Sequence, residues 1–341
     1  MFNNYLTKVM QEDDLSRAEM VAAMRLVMDG KITNSQLAGF LVALRMKGET
    51  IAEITGAAQV MREKAAPVRT KLTGLIDSCG TGGDEKGTFN ISTTAALVMA
   101  AGGLKVAKHG NRSVSSRSGS ADLLEALGVK IDLTPEAAAD CLAKCGITFL
   151  FAPQFHQAMK YAAVPRRELG LRTIFNILGP LTNPAQADYQ VLGVYQEELV
   201  RPLTEVLKNL GLKSALVVYG AGGIDELSLA GKNKVAYLKN GQIKEFSIDP
   251  AELDLQAAPI SAVLGGTPVE NKAITLAILK GEKGPRRDIV LLNTAAAFLV
   301  SGKCDNLSAG INLAAAIIDS GQANQKLAEL IECSNSLEPV L

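Results

Sequence analysis

The 341-residue sequence has no surplus of charge, no long apolar run and no cysteine framework, and each absence removes a class of protein. Thirty-five basic and thirty-five acidic side chains give a formal charge of zero. Nothing global therefore draws the chain to nucleic acid or to an anionic membrane, and any phosphate binding has to be local. No apolar run approaches the roughly 18 residues that a transmembrane helix needs. The start, "MFNNYLTKVMQEDD", lacks a basic segment followed by an apolar one, so no signal peptide is expected. The five cysteines, Cys79, Cys141, Cys145, Cys304 and Cys333, are odd in number and unpatterned, as expected of reduced thiols in the cytoplasm. Cys141 and Cys145 share a helix face, but without a further ligand nearby a zinc site is not expected there, and Cys79 reads as a small buried hydrophobe. There is no repeat of fixed period and no low-complexity tract.

What is present is an ordinary globular composition, 48% hydrophobic and 21% charged, in a chain long enough for two domains. The first seventy residues read as helices. Three capping boxes, Ser16 with Glu19, Thr33 with Gln36 and Thr50 with Glu53, each open an amphipathic stretch. Gly30 and Gly48 stand where left-handed helix ends favour glycine. Met20, Met24 and Met28 recur at helical spacing and read as core filler.

After Pro67 the texture changes to short apolar runs, each followed by a glycine-rich or polar loop and an alanine-rich helix, the pattern of a parallel α/β sheet. The loop "GTGGDEKGTFNIST", Gly80 to Thr93, follows the run "GLIDSC". Its glycines let the backbone approach a ligand closely, and Asn90, Ser92, Thr93 and Thr94 lie at a helix start, whose free N–H groups and dipole favour an anion. Neither a nucleoside-triphosphate loop nor a dinucleotide fingerprint fits the spacing, and a bare glycine turn is the alternative. A second loop, "KHGNRSVSSRSGS" from Lys108 to Ser120, concentrates Lys108, Arg112 and Arg117 among hydroxyls and enters a helix at Ala121. Ligands of open α/β sheets bind beyond the carboxyl ends of the strands, so two such loops suggest a ligand with two phosphate groups, with a solvated charged loop as the alternative for the second. A third loop, "YGAGGIDELSL", carries the adjacent acids Asp225 and Glu226, which suit magnesium, with solvated surface acids as the alternative.

"GTGGD", "NIST", "KHGNRSVSS" and "VPRRELGLRTIFNILGPLTNP", in this order after a helical start, closely resemble the anthranilate phosphoribosyltransferases of tryptophan biosynthesis. The resemblance spans essentially the whole chain. It implies a mainly parallel α/β sheet flanked by helices with a smaller all-helical N-terminal domain, the nucleoside phosphorylase and class III phosphoribosyltransferase type. It also implies a boundary near residue 70, a helical domain 1–70 completed by a segment near 160–190, an α/β domain over 71–341, and a homodimer formed through the helical parts. The implied reaction moves phosphoribose from phosphoribosyl pyrophosphate (PRPP) to the amine of anthranilate. Implied PRPP contacts are Gly80, Gly83, Asp84, Thr88, Asn90, Ile91, Ser92, Thr93, Lys108, His109, Gly110, Asn111, Arg112, Ser113, Val114, Ser115, Ser116 and Ser120. Implied anthranilate contacts are Gly80, Asn111 and Arg166, and the implied Mg2+ ligands are Ser92, Asp225 and Glu226. Association with the glutaminase partner that makes anthranilate is left open.

The chemistry agrees with the residue types. An aromatic amine is unprotonated at neutral pH, so no strong base is required, in keeping with the lack of an obvious nucleophile and base pair. His109 has two readings, orienting the incoming amine or packing, and His156 is a candidate for the anthranilate entrance. Arg166 offers a planar fork for a carboxylate, whereas Arg167 beside it suits surface pairing. Two other classes stay in view: a pyrimidine nucleoside phosphorylase of the same fold, and a non-catalytic relative binding nucleic acid, for which a basic excess is expected.

Overall fold

Each of the three capping boxes opens a helix. Ser16, Thr33 and Thr50 accept from the backbone N–H groups of Glu19, Gln36 and Glu53, whose side chains accept in return. The donors that a helix start leaves free are thereby satisfied. The computed structural model describes residues 2–113 and 117–337. In it the boxes start α2 (Arg17–Met28), α3 (Asn34–Lys47) and α4 (Ile51–Lys64), after a short α1 (Phe2–Met10). Met20, Met24 and Met28 are buried, as core filler should be. Glu53 does more than cap: it is fully buried, and it also accepts from the Leu15 N–H at 2.9 Å and from Lys47 Nζ at 3.0 Å.

From residue 75 the chain alternates strand, loop and helix. β1 (Leu75–Gly80) leads to α5 (Ile91–Ala101), and β2 (Lys105–Gly110) to α6 (Ser120–Leu127) and α7 (Pro135–Cys145). β3 (Ile147–Phe151) leads to α8 (Ala152–Phe155), α9 (Lys160–Leu169) and α10 (Phe175–Leu178). Then come β4 (Tyr189–Gly193), α11 (Val200–Asn209), β5 (Ser214–Tyr219), β6 (Asn233–Lys239) and β7 (Gln242–Ile248). The helices α12 (Pro268–Leu279), α13 (Pro285–Val300), α14 (Leu307–Asp319) and α15 (Gln322–Ser336) close the fold.

The strands form one seven-stranded sheet in the order β3-β2-β1-β4-β5-β6-β7. The first five are parallel, and β6 and β7 run antiparallel to their neighbours. A mainly parallel sheet with a smaller helical N-terminal part is therefore observed. The sequence reading had no strand at β3, β4 or β7, and at β7 the miss was avoidable. Its signal was available: Asn240 and Gly241 both have positive φ, the requirement of a tight hairpin turn that an Asn-Gly pair meets with least strain.

Two apolar clusters sandwich the sheet. One joins α5, α13 and α15 to the strands through residues such as Leu97, Phe298 and Leu330. The other joins β4, β5 and β6 to α11, to the N-terminal helices and to Ala162, Ile174, Phe175 and Leu178 of the segment after β3. Helix α9 packs on α2 and α3. A stretch from the middle of the chain thus shares a core with its beginning, because the apolar faces of short helices must be covered by a neighbouring layer. No helix among the described residues is long and apolar enough to cross a membrane.

Candidate active site

Strand order reverses between β1 and β4: the chain moves outward one way through β2 and β3, and the other way through β5. A crevice opens beyond the carboxyl ends of the strands at such a point. Three loops meet there, after β1, β2 and β5. Asp225 lies across the ends of two strands. A Cβ built on Gly80 would stand 2.1 Å from Asp225 Oδ2, and one built on Gly193 would stand 1.5 Å from the Asp225 carbonyl oxygen. Neither position has room for a side chain. The same Oδ2 accepts from the Gly82 N–H at 2.7 Å, while Glu226 Oε1 accepts from the Ser92 N–H at 3.1 Å, in the first turn of α5. Sequence reasoning missed Gly193, although a glycine closing the apolar run "YQVLG" was the signal.

The site is short of positive charge. Burial first, then the charge of Asp84, pushes Asp225 up to about 6. Burial first, then Asp225, pushes Glu226 up to about 8. Asp84 Oδ2 is buried without a hydrogen-bond partner among the described residues. Three crowded carboxylates, one with an orphaned oxygen, fit a hard divalent cation that takes carboxylate oxygens and keeps waters. Lys108 is buried and commits its ammonium inward, donating to the Ser78 carbonyl at 2.6 Å and to Ser92 Oγ at 3.2 Å. Lys108, Ser92, Glu226 and Asp225 thus form one connected chain of contacts, assembled from β2, the start of α5 and the loop after β5.

Distant segments brace the first loop. Phe89 N–H donates to the Val263 carbonyl at 3.1 Å and Gly265 N–H to the Gly87 carbonyl at 2.9 Å, with Thr88 bridged to Leu264. Arg172 donates to the Gly83 carbonyl, pairs with Glu85 at 2.9 Å and lies over the Tyr195 ring at 4.6 Å. Neither the 263–271 brace nor Arg172 was picked out from sequence, since long-range partners leave no local pattern. Ile91 and Thr93 are buried, and the Ile91 N–H already donates to the Phe89 carbonyl at 2.7 Å, so what this pair offers a ligand is the Thr93 backbone N–H. Asn90 precedes α5 but makes no side-chain cap. Its amide donates instead to the Ser118 carbonyl at 3.0 Å and accepts from Asn271 Nδ2 at 2.8 Å, which ties the two loops together.

The second loop is held by its own helix. Asp122 Oδ2 accepts from the Gly119 N–H at 2.8 Å and the Ser113 N–H at 3.2 Å, and α6 begins at Ser120, one residue before the expected entry. Arg112 pairs with Asp122 at 2.9 Å and Glu125 at 2.8 Å and lies over the Phe151 ring. Asn111 Oδ1 accepts from the Arg112 N–H, and the Asn111 carbonyl accepts from Ser120 Oγ at 3.2 Å. A Cβ on Gly110 would meet Ser120 Oγ at 2.2 Å. Val114, Ser115 and Ser116 lie outside the described residues.

His109 and His156 pack ring to ring with centroids 5.0 Å apart, and both Nε2 atoms are buried without a partner among the described residues. Burial, with the neighbouring imidazole next, holds His109 down to about 3, and burial holds His156 down to about 4. Both rings are therefore neutral near pH 7. Buried Asp77, another residue the sequence reading passed over, accepts from the His109 N–H at 3.1 Å and from Asn183 Nδ2 at 2.8 Å. Arg166 is half-buried over the Phe175 ring at 5.2 Å, whereas Arg167 is exposed. Cys79 is only partly buried, and its S–H lies 3.7 Å from Asp77.

The α/β domain model of a glycosyl transferase family matches residues 72–324, and the helical bundle domain model of the same family matches residues 3–65. The anthranilate phosphoribosyltransferase of Petrotoga mobilis is 57% identical over 337 residues, covering 99% of this chain and 98% of the relative. That of Pelotomaculum thermopropionicum is 53% identical over 337 residues, with 99% and 98% covered. The chain belongs to the anthranilate phosphoribosyltransferase family. Among solved structures, the family member from Thermus thermophilus is 46% identical and superposes with a TM-score of 0.93 over 97% of this chain and 99% of its own. The enzyme from Saccharomyces cerevisiae, solved in complex with PRPP and Mg, is 30% identical, with a TM-score of 0.91 and 98% of each chain covered. In this anthranilate phosphoribosyltransferase fold, the switch-point crevice is the place where the phosphate-type loops and the acid pair converge.

Proposed function

We infer that this chain transfers the 5-phosphoribosyl group of PRPP to the amine of anthranilate, giving N-(5-phosphoribosyl)anthranilate and pyrophosphate, in tryptophan biosynthesis. The observation that carries it is Asp225 seated over Gly80 and Gly193, with Glu226, Ser92 and Lys108 in contact around the start of α5. Gly80, Gly83, Asp84, Thr88, the stretch 90–93, the stretch 108–116 and Ser120 bind PRPP in this reading. N–H groups of the loop after β1 and that of Thr93 in the first turn of α5 hold its phosphate oxygens. Lys108 adds a cation fixed in place by its own contacts.

Ser92, Asp225 and Glu226 would hold Mg2+, with Asp84 close by. When bound, the ion offsets the charge that develops on departing pyrophosphate. The residues of the chain do the rest by placement. Arg166, whose only described charged or ring contact is with Phe175, receives the anthranilate carboxylate through its planar fork. Asn111 and the backbone at Gly80 lie beside the acceptor. His109 and His156, neutral at working pH, are polar walls rather than strong bases, and an aromatic amine asks for no more. Positioning and charge placement then carry the rate.

The wider arrangement follows the same family. A helical unit over 1–70, completed by the segment near 160–190, sits on the α/β unit over 71–341. Two copies associate through helical faces in the cytoplasm.

The test is anthranilate consumption with PRPP, with and without Mg2+, beside phosphorolysis of thymidine with inorganic phosphate. Mg2+-dependent transfer without phosphorolysis is the expected result. Phosphorolysis without transfer would replace this function with a nucleoside phosphorylase.

A further inference from the structure

Cys141 and Cys145 lie one turn apart on α7, and nothing close in sequence joins them. The fold supplies the missing neighbour. Helix α15 returns along α7 and brings Cys333 to the same point, so that the three sulfurs lie within 4.8 Å of one another. Cys141 Sγ and Cys145 Sγ are 3.8 Å apart. Two sulfurs bound to one tetrahedral zinc at about 2.3 Å each would be separated by ~3.8 Å. The α7 pair already has that spacing.

A fourth donor faces the same sulfurs. The Ile147 carbonyl oxygen, at the first residue of β3, lies 3.4 Å from Cys141 Sγ and 3.0 Å from Cys145 Sγ. All five cysteines are free thiols. Three thiolates around a dication leave one net negative charge, and two lysines lie near it: Lys326, whose Nζ is 2.9 Å from the Cys145 carbonyl and also pairs with Glu329, and Lys144, next in sequence to Cys145. The cluster sits at the amino end of β3, whereas the substrate loops leave the carboxyl ends of the strands. It is a separate site.

We propose that Cys141, Cys145 and Cys333 form a structural site for a thiophilic divalent cation of the zinc class, which staples α15 to α7. Each thiol releases its proton to solvent as its sulfur binds. Oxygen-seeking Mg2+ does not compete for such a soft donor set. Because α15 also packs on α5, the staple secures the layer behind the helix whose first turn faces the phosphate loops.

The probe is Cd2+, whose thiolate complexes absorb in the ultraviolet by charge transfer, titrated into the reduced full-length protein in excess Mg2+. The expected result is one Cd2+ per chain and a raised Tm. Cys333→Ser should weaken Cd2+ binding at least about 100-fold, beyond the cost of losing an outer-shell partner. Cys145→Ser should do the same, guarding against a folding defect peculiar to one variant, while Cys304→Ser should leave the titration unchanged. Transferase turnover in Mg2+ should be unaffected by loading the site, so failure here and failure of the proposed function are separable. Absence of the band in the wild type, or a band of full strength in Cys333→Ser, would overturn the proposal. So would a band that disappears only in Cys304→Ser or Cys79→Ser.

Discussion

The loops after β1 and β2 look alike in sequence, both short of bulk and rich in hydroxyls, yet the structure holds them by opposite means. The first is braced from outside, by 263–271 and by Arg172, and the acids it meets are half-buried and short of a counter-charge. The second is braced by its own helix, and its Arg112 is already matched by Asp122 and Glu125. The lesson is one of vacancy. A charged group next to a ligand site matters in proportion to what it lacks, and a cation with two acids beside it lacks little.

That contrast can be broken or sharpened. Replacing Asp225 by Asn together with Glu226 by Gln should lower turnover on the order of 10²–10³-fold, the cost of losing a principal electrostatic stabiliser. It should also abolish the rise in Tm on adding Mg2+. A double variant that keeps turnover and still responds to Mg2+ would place the metal elsewhere. Arg166→Ala comes next: a charge-assisted pair of ~1.5–3 kcal/mol corresponds to roughly a 10–100-fold rise in KM for anthranilate with a smaller change in kcat. Equal losses in both parameters would assign Arg166 a structural task instead. The smallest kinetic effect is expected at Arg112, where Arg112→Gln should raise KM for PRPP by less than about fivefold because the guanidinium is already partnered and exposed. A loss as large as that of the acid pair would show that Arg112 abandons its acids for the substrate.

The buried histidines give a pH test. Their folded pKa values, about 3 for His109 and about 4 for His156, lie below the ordinary value of 6.5. Their contribution to stability is therefore complete above pH 6.5 and is lost as pH falls towards the folded values. Each adds a slope of up to ~1.4 kcal/mol per pH unit in that window. Denaturant unfolding of His156→Gln from pH 7 to 4.5 should show a shallower decline than the wild type, and parallel curves would refute neutral burial.

Much of the fold was legible because its determinants are local. Ser16, Thr33 and Thr50 mark helix starts within four residues, and the alternation of apolar runs with glycine or polar loops marks β1, β2 and β5 among the parallel strands. The candidate site was legible wherever a loop carries its own chemistry, as at Lys108, Asp225 and Glu226. Whatever depends on distant parts of the chain stayed hidden. Gly193 is an ordinary strand end until Asp225 crosses it, Asn90 is an ordinary cap until Ser118 and Asn271 claim its amide, and two cysteines on one turn have no third until α15 comes back. The hairpin at Asn240 and Gly241 is different, since its signal was local and was passed over.

Asp225 also bears on how this site tolerates change. With backbone 1.5 Å from where a Gly193 side chain would begin, the turn that carries the carboxylate cannot retreat, and at Gly80 the carboxylate itself has none to spare. Its reach is thus fixed by the skeleton like a mark on a ruler. Lengthening the residue by a single methylene, as in Asp225→Glu, keeps the charge yet overshoots the mark, so at this position geometry is the stricter inheritance.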